Sequence, residues 1–137
     1  VIKDMVNRMC DSVAHNKNCL LTPEFLVSPK QVQFGEHVLQ RAKQAVLKCG
    51  QIREKDLVYL TTGIVAKVKC FWQHIDQTYL CAQVQAYSNV EYRRWDETDE
   101  IIIVDSDNII DSVIWSKSGS SVYVIPHFRV QLASWYR

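Results

Sequence analysis

Apolar and polar residues alternate along two neighbouring segments in the middle of the chain, GIVAKVKCFW and TYLCAQVQAY. A period of two is typical of β-strands that bury one face. The polar stretch HIDQ lies between them, so we predict a hairpin of strands 64–72 and 79–87. The predicted faces are Ile64, Ala66, Val68, Cys70 and Trp72 against Val65, Lys67, Lys69 and Phe71 in the first strand, and Leu80, Ala82, Val84 and Ala86 against Tyr79, Cys81, Gln83, Gln85 and Tyr87 in the second.

Shorter apolar runs on both sides of this hairpin predict four more strands. The runs DLVYL, EIIIV, NIIDSVIW and VYVIPHF place these strands near 57–60, 100–104, 109–115 and 122–128. The turn-forming sequence SKSGSS separates the last two, and Pro126 is typical of a sheet edge or a strand end. Several short strands at this spacing predict a small antiparallel barrel or sandwich.

The first third of the chain has a different pattern. Apolar residues at helical spacing predict an amphipathic helix over 2–13, and Pro23 and Pro29 bracket a segment predicted to be irregular. Residues 36–49, EHVLQRAKQAVLKC, fit two alternatives. They form either a helix with Val38, Ala42 and Val46 on one stripe, or two short strands around the polar sequence QRAK.

Length, charge and cysteine content narrow the class of protein. The chain has 137 residues, which suits one domain, and a net charge of +1, which excludes a strong overall attraction to nucleic acid. No apolar stretch approaches the roughly 20 residues of a membrane-spanning helix. An odd number of widely spaced cysteines, five in all, predicts a reducing compartment, nuclear or cytoplasmic.

The residues offer little support for metal binding or catalysis. Cys70, His74 and Cys81 lack the paired spacing of a zinc knuckle, so we expect no metal, no other cofactor and reduced thiols. Phosphate-binding glycine loops and the GxSxG motif are absent from the sequence. The acids between residues 96 and 111 follow one another along the chain, which favours a solvated face over a catalytic cluster. We therefore predict no enzymatic activity and no catalytic residues in this chain.

Two sets of side chains are candidates for binding. Lys67 and Lys69 with Arg93 and Arg94 are candidate contacts to the phosphates of a nucleic acid. Aromatic rings followed by acids are typical of grooves that hold a cationic ligand such as methylated lysine. For such a ligand groove we expect Tyr92 and Trp95 to be partly exposed and close together, whereas Trp72 packs in the core. The groove candidates are Tyr87, Tyr92, Trp95, Glu97 and Asp99.

The order of these motifs resembles a bromo-adjacent-homology (BAH) domain. The matching segments are REKDLVYL, GIVAKVKCFWQ, TYLCAQVQAY, DNIIDSVIW and VYVIPHF. The segment GEHVLQRAKQAVLKCG is also similar to one that precedes a BAH-like module near the C-terminal end of some eukaryotic transposases, which favours strands over 36–49. The resemblance covers roughly residues 35 to 130. It departs from the family at AYSNVEYRRWDETDE, where BAH domains often have a stretch like wfyRPeet.

The resemblance implies a mainly β fold, a small BAH-like antiparallel β-barrel with an N-terminal helix. It divides the chain into a lead-in at 1–34 and a β domain at 35–137. It implies a non-catalytic module that binds chromatin or a protein partner such as a histone tail, in a nuclear protein derived from a transposase. The alternative is an accessory domain that contacts DNA in a transposase whose catalytic domain lies outside this chain.

Overall fold

A computed structural model describes residues 24–76 and 79–125, and strands make up 73% of them. The predicted helix over 2–13 lies outside the described residues, which contain no α-helix and one short 3₁₀ helix at Ser106–Asn108. None of their helices is long and apolar enough to span a membrane. The described strands are β1 (Phe25–Leu26), β2 (Lys30–Phe34), β3 (His37–Ala42), β4 (Gln44–Leu47), β5 (Gly50–Arg53), β6 (Leu57–Leu60), β7 (Val65–His74), β8 (Leu80–Glu91), β9 (Arg94–Asp105), β10 (Ile109–Ser112), β11 (Ile114–Ser118) and β12 (Ser121–Ile125).

These strands form two antiparallel sheets. The large sheet has the order β10-β6-β7-β8-β9-β12-β11, and the β2–β3 hairpin joins it where β3 pairs with the second half of β7. The small sheet has the order β1-β4-β5. The meander from β6 to β9 is the centre of the fold. Strand β6 is buried along its whole length, and parts of β7 and β8 are buried on both faces.

Two main cores lie on opposite faces of the large sheet. The first lies between the two sheets and contains Phe71, Leu80 and Val84 of the large sheet together with Leu47 and Ile52 of the small one. The second lies on the other face and contains the rings of Tyr59, Tyr87 and Trp95. Each fully buried large apolar side chain contributes about 1.5 to 3 kcal/mol relative to an exposed one, so both faces stabilise the sheet. A smaller cluster holds Leu39, Cys70, Trp72 and Cys81.

The large sheet curves but stays open, which corrects the predicted fold class. Strands β10 and β11 lie at opposite ends of the strand order, yet Val113 alone separates them in the chain. The sheet must therefore bring its two ends together at this residue, since neighbouring Cα atoms lie about 3.8 Å apart. However, β10 pairs with β6 and β11 pairs with β12, and no described ladder joins β10 to β11. The prediction of a small antiparallel β-barrel is thus wrong, and the helix predicted at its N-terminal side lies outside the described residues.

Most of the predicted strands occur with different ends. Leu57–Leu60 is confirmed, and β7, β8 and β9 are longer than predicted. The strand expected at 109–115 is divided at Val113, where the chain passes from one end of the sheet to the other. The last strand is confirmed over 122–125, and residues 126–128 lie outside the described ones.

The segment at 36–49 forms strands, as the resemblance favoured. The break falls at Lys43, and the two strands enter different sheets instead of pairing with each other. Part of the segment between Pro23 and Pro29, expected to be irregular, forms β1. The β2–β3 hairpin spans the proposed boundary at 34/35, and the division of the chain into two parts stays a prediction.

A β-bulge at Lys69 changes the predicted faces of β7. Val68 pairs with Val84 and Cys70 with Gln83, so Lys69 is an extra residue without a ladder partner. The extra residue reverses the alternation, because each further position then points to the opposite face. Phe71 consequently packs with Val68 in the first core, and Cys70 with Trp72 in the smaller cluster. The predicted face shared by Cys70 and Val68 is wrong.

Candidate functional site

Two turns meet at one end of the large sheet and form an open pocket of about 500 Å³. In an antiparallel meander, the β6–β7 and β8–β9 turns lie at the same end of the sheet. The pocket is therefore lined by residues of these two turns and of the strand ends beside them. The two groups are far apart in the sequence. The described residues that line it are Tyr59, Gly63, Ile64, Tyr87, Ser88, Asn89, Tyr92, Arg93 and Trp95.

The three predicted aromatic residues line this pocket, but their exposure differs from the prediction. Tyr92 lies at the apex of the β8–β9 hairpin with 58% of its surface exposed. Tyr87 and Trp95 are each 5% exposed and belong to the second core. Trp95 is covered because β12 pairs alongside it, with Val122 opposite. The expectation of a partly exposed Trp95 is wrong, so an aromatic cage with open ring faces does not form.

Arg93 provides the charge of the pocket. Its Cζ lies 5.0 Å from the centre of the Tyr92 ring, within the range of a cation–π contact. Its Nε is buried and has no hydrogen-bond partner among the described residues. The backbone of Arg93 has a φ of 67°, which costs an L-residue conformational energy and is compensated by the tight turn. The residue is therefore held in an unusual conformation beside the pocket.

Lys67, Glu97 and Tyr87 form a polar group beside the pocket. Lys67 Nζ lies 2.9 Å from Glu97 Oε1 and 6.0 Å from the centre of the Tyr87 ring. The hydrogen bond to Glu97 raises the pKa of Lys67, and the same bond lowers the pKa of Glu97. Burial raises the pKa of Tyr87. All three effects keep a neutral tyrosine and an ionised lysine–glutamate pair at neutral pH.

Glu97 and Asp99 do not form the predicted acidic rim of the pocket, although Glu97 lies opposite Tyr87 in the β8–β9 ladder. Glu97 is paired with Lys67, Asp99 is exposed, and neither lines the pocket. The acids from 96 to 111 are distributed along β9, the 3₁₀ helix and β10. In the part of the chain that is described, no three His, Cys, Asp or Glu side chains are placed to hold a metal ion.

The four candidate phosphate contacts do not form one stripe. Lys67 is paired with Glu97, and Arg94 lies 3.5 Å from Glu91 and donates to the Ser121 hydroxyl. Lys69 is exposed at the bulge, and Arg93 is at the pocket. Two of the four cations are therefore already close to a carboxylate, which lowers the attraction of this surface for phosphate.

The cysteines and Trp72 have structural positions. Trp72 is buried, as expected, and its Nε1 donates to Gln83 Oε1 at 3.2 Å. Cys49, Cys70 and Cys81 are thiols and not disulfides, whereas Cys10 and Cys19 lie outside the described residues. His74 contacts His37, with 3.4 Å between His37 Nδ1 and His74 Nε2.

Sequence reasoning missed the wall of the pocket formed by the β6–β7 turn. Gly63 has a φ of +91°, and a Cβ atom at this position would lie 3.9 Å from the Tyr59 hydroxyl oxygen. The signal was present in TTG, since a glycine between two predicted strands is typical of a tight turn.

No protein-family model matches the chain, and no curated protein is significantly similar to it. The resemblance to BAH domains stays a prediction.

Proposed function

We propose that this chain is a non-catalytic module that binds a protein partner through the pocket between the β6–β7 and β8–β9 turns. The observation that supports this proposal is the pocket itself, where Tyr87, Tyr92 and Trp95 come together. Its volume of about 500 Å³ lies within the roughly 300 to 1,000 Å³ that is typical of ligand pockets. An exposed tyrosine above two buried rings resembles the centre of many protein-binding surfaces, which are rich in aromatic residues and arginine.

The proposal includes the setting that the BAH resemblance implies. The partner is a chromatin protein, the compartment is the nucleus, and the parent is a protein derived from a transposase. Because the rings of Tyr87 and Trp95 are buried, the proposed mode of binding is a groove for a peptide and not a cage for methylated lysine. The DNA-contacting alternative has weaker support, since Lys67 and Arg94 are paired with carboxylates.

An array of peptides from chromatin proteins, with acidic segments beside histone tails, tests this function when it is run together with an electrophoretic mobility shift on duplex DNA. Tyr92→Ala removes the exposed ring of the pocket, and Tyr123→Ala removes an exposed ring from β12, outside the pocket lining. We expect binding to peptides, its loss in Tyr92→Ala and its retention in Tyr123→Ala. Retention of peptide binding in Tyr92→Ala, or a shift of DNA without peptide binding, would contradict the proposal.

A further inference from the structure

We infer that the pocket takes an acidic peptide, with a Glu or Asp carboxylate at Arg93 and a neighbouring apolar side chain against Tyr92. This inference rests on the proposed function and specifies the ligand of the same site. It differs from the expectation of a cationic ligand that the aromatic and acidic residues suggested.

The lining of the pocket is positively charged. Among the described residues around the pocket, Arg93 is the one with a charged side chain, and none is acidic. A methylated lysine would enter without a carboxylate to balance it and beside a guanidinium of the same sign. An anionic group would instead meet an opposite charge in a partly desolvated site, where such pairs are stronger than in water.

The guanidinium of Arg93 has a buried donor that a ligand could satisfy. Arg93 Nε is buried without a hydrogen-bond partner in the described part of the chain, although burial of a donor without an acceptor is costly. Nε and a terminal nitrogen form one edge of the guanidinium, and this edge matches the two oxygens of a carboxylate. Tyr92, which is exposed and stacks on the guanidinium, is the side chain whose movement would admit the ligand.

Two other cations of the central strands, Lys67 of β7 and Arg94 of β9, already have carboxylate partners. They lie 2.9 and 3.5 Å from a described carboxylate. Arg93 has no such partner among the described residues, so its charge is available to a ligand. A single available cation beside apolar walls fits one carboxylate better than a nucleic-acid backbone, which needs a series of cations.

Three matched arrays of short peptides test the inference on the full chain. In the first, a central Glu is flanked by Leu, Phe or Trp; the second and third carry Gln or trimethyllysine in place of Glu. We expect the Glu peptides to bind about ten-fold more tightly than the Gln peptides, because a carboxylate strengthens the bond to arginine. Arg93→Gln removes this preference. Arg94→Gln, which changes the adjacent arginine outside the pocket, retains it.

The outcomes separate the inference from the proposed function. Equal binding of Glu and Gln peptides, or tighter binding of trimethyllysine peptides, overturns the inference and leaves a peptide-binding module. Binding to none of these arrays overturns the inference, and if the chain also binds no chromatin peptide, or binds an oligonucleotide alone, the proposed function is overturned as well. If Arg93→Gln unfolds, Arg93→Lys keeps the positive charge without the two-nitrogen edge, and the Glu preference must then fall while the thermal unfolding curve stays near that of the parent chain.

Discussion

Charged side chains around the pocket differ in whether a carboxylate of the same chain is already beside them. Lys67 and Glu97 are held in one ion pair, whereas Arg93 stacks on Tyr92. A paired charge stabilises the fold slightly and is a poor ligand contact, because binding must first break the pair. A basic side chain therefore has a structural role at Lys67 and a proposed binding role at Arg93.

The Lys67–Glu97 pair predicts a pH-dependent contribution to stability. We expect Glu97→Gln to lower the free energy of unfolding by about 0.5 kcal/mol at neutral pH, as the Glu97 side chain is half exposed and solvent screens the pair. Since the folded pKa of Glu97 is lowered from 4.5, the contribution exists above that value and disappears as pH falls through the folded pKa. At the alkaline end it disappears as pH rises through the raised pKa of Lys67.

Urea unfolding at several pH values measures this contribution. Asp99→Asn removes an exposed acid from the same strand and is the matched control, with little change expected at any pH. A difference between Glu97→Gln and the parent chain that does not shrink as the pH falls would show that the effect is not ionic.

At the scale of elements, the β8–β9 hairpin turn combines strain with the site. Arg93 has a positive φ, which glycine adopts at little cost and alanine does not. We expect Arg93→Gly to be more stable than Arg93→Ala by roughly 1 kcal/mol, while neither variant binds the acidic peptides. Thermal unfolding measures the difference in stability between the two variants. Because both lack the arginine side chain, the difference reports the cost of the positive φ. Equal stability would show that the turn relaxes when the guanidinium is removed.

The elements also show what the sequence could and could not predict. The alternation in β8 predicted its apolar face of Leu80, Ala82 and Val84 correctly, because regular pairing keeps the period of two. The faces of β7 were predicted wrongly after Lys69, because a bulge inserts one residue without a local sequence signal. Trp95 was expected to be partly exposed, because the strand that covers it, β12, is distant in the sequence.

The pocket was predictable in part for a related reason. Tyr87, Tyr92 and Trp95 belong to one hairpin, so their proximity followed from local pairing. Tyr59 comes from β6, and its position beside them depends on the order of the whole sheet. The identity of the ligand depends on which charges are already paired, such as Lys67 with Glu97, and pairing across strands is not visible in residue order.

At the scale of the whole molecule, Val113 joins the two ends of the large sheet. It is buried in the second core, and its backbone N–H donates to the Leu57 carbonyl at 2.9 Å. We expect Val113→Ala to lower the free energy of unfolding by about 2 kcal/mol, because it removes buried methyl groups and leaves a cavity. Ile114→Ala, at the next residue, removes a largely exposed side chain and is expected to change stability by less than about 0.5 kcal/mol.

Chemical denaturation of the two variants tests this role. A loss in Ile114→Ala as large as that in Val113→Ala would contradict it, because β11 would then be covered by another part of the molecule. An unchanged Val113→Ala would show that the ends of the sheet are held together elsewhere.

The central claim is that a partner peptide binds between the β6–β7 and β8–β9 turns. Its most direct test is an NMR titration of the isotopically labelled full chain with the tightest-binding peptide of the Glu array, following backbone amide shifts. The account predicts that the largest changes fall at the residues lining the pocket, with little change at the exposed strand β11 or at Lys69. Changes centred on β11 or on Lys69, with the amides of Tyr92 and Arg93 unmoved, would contradict it.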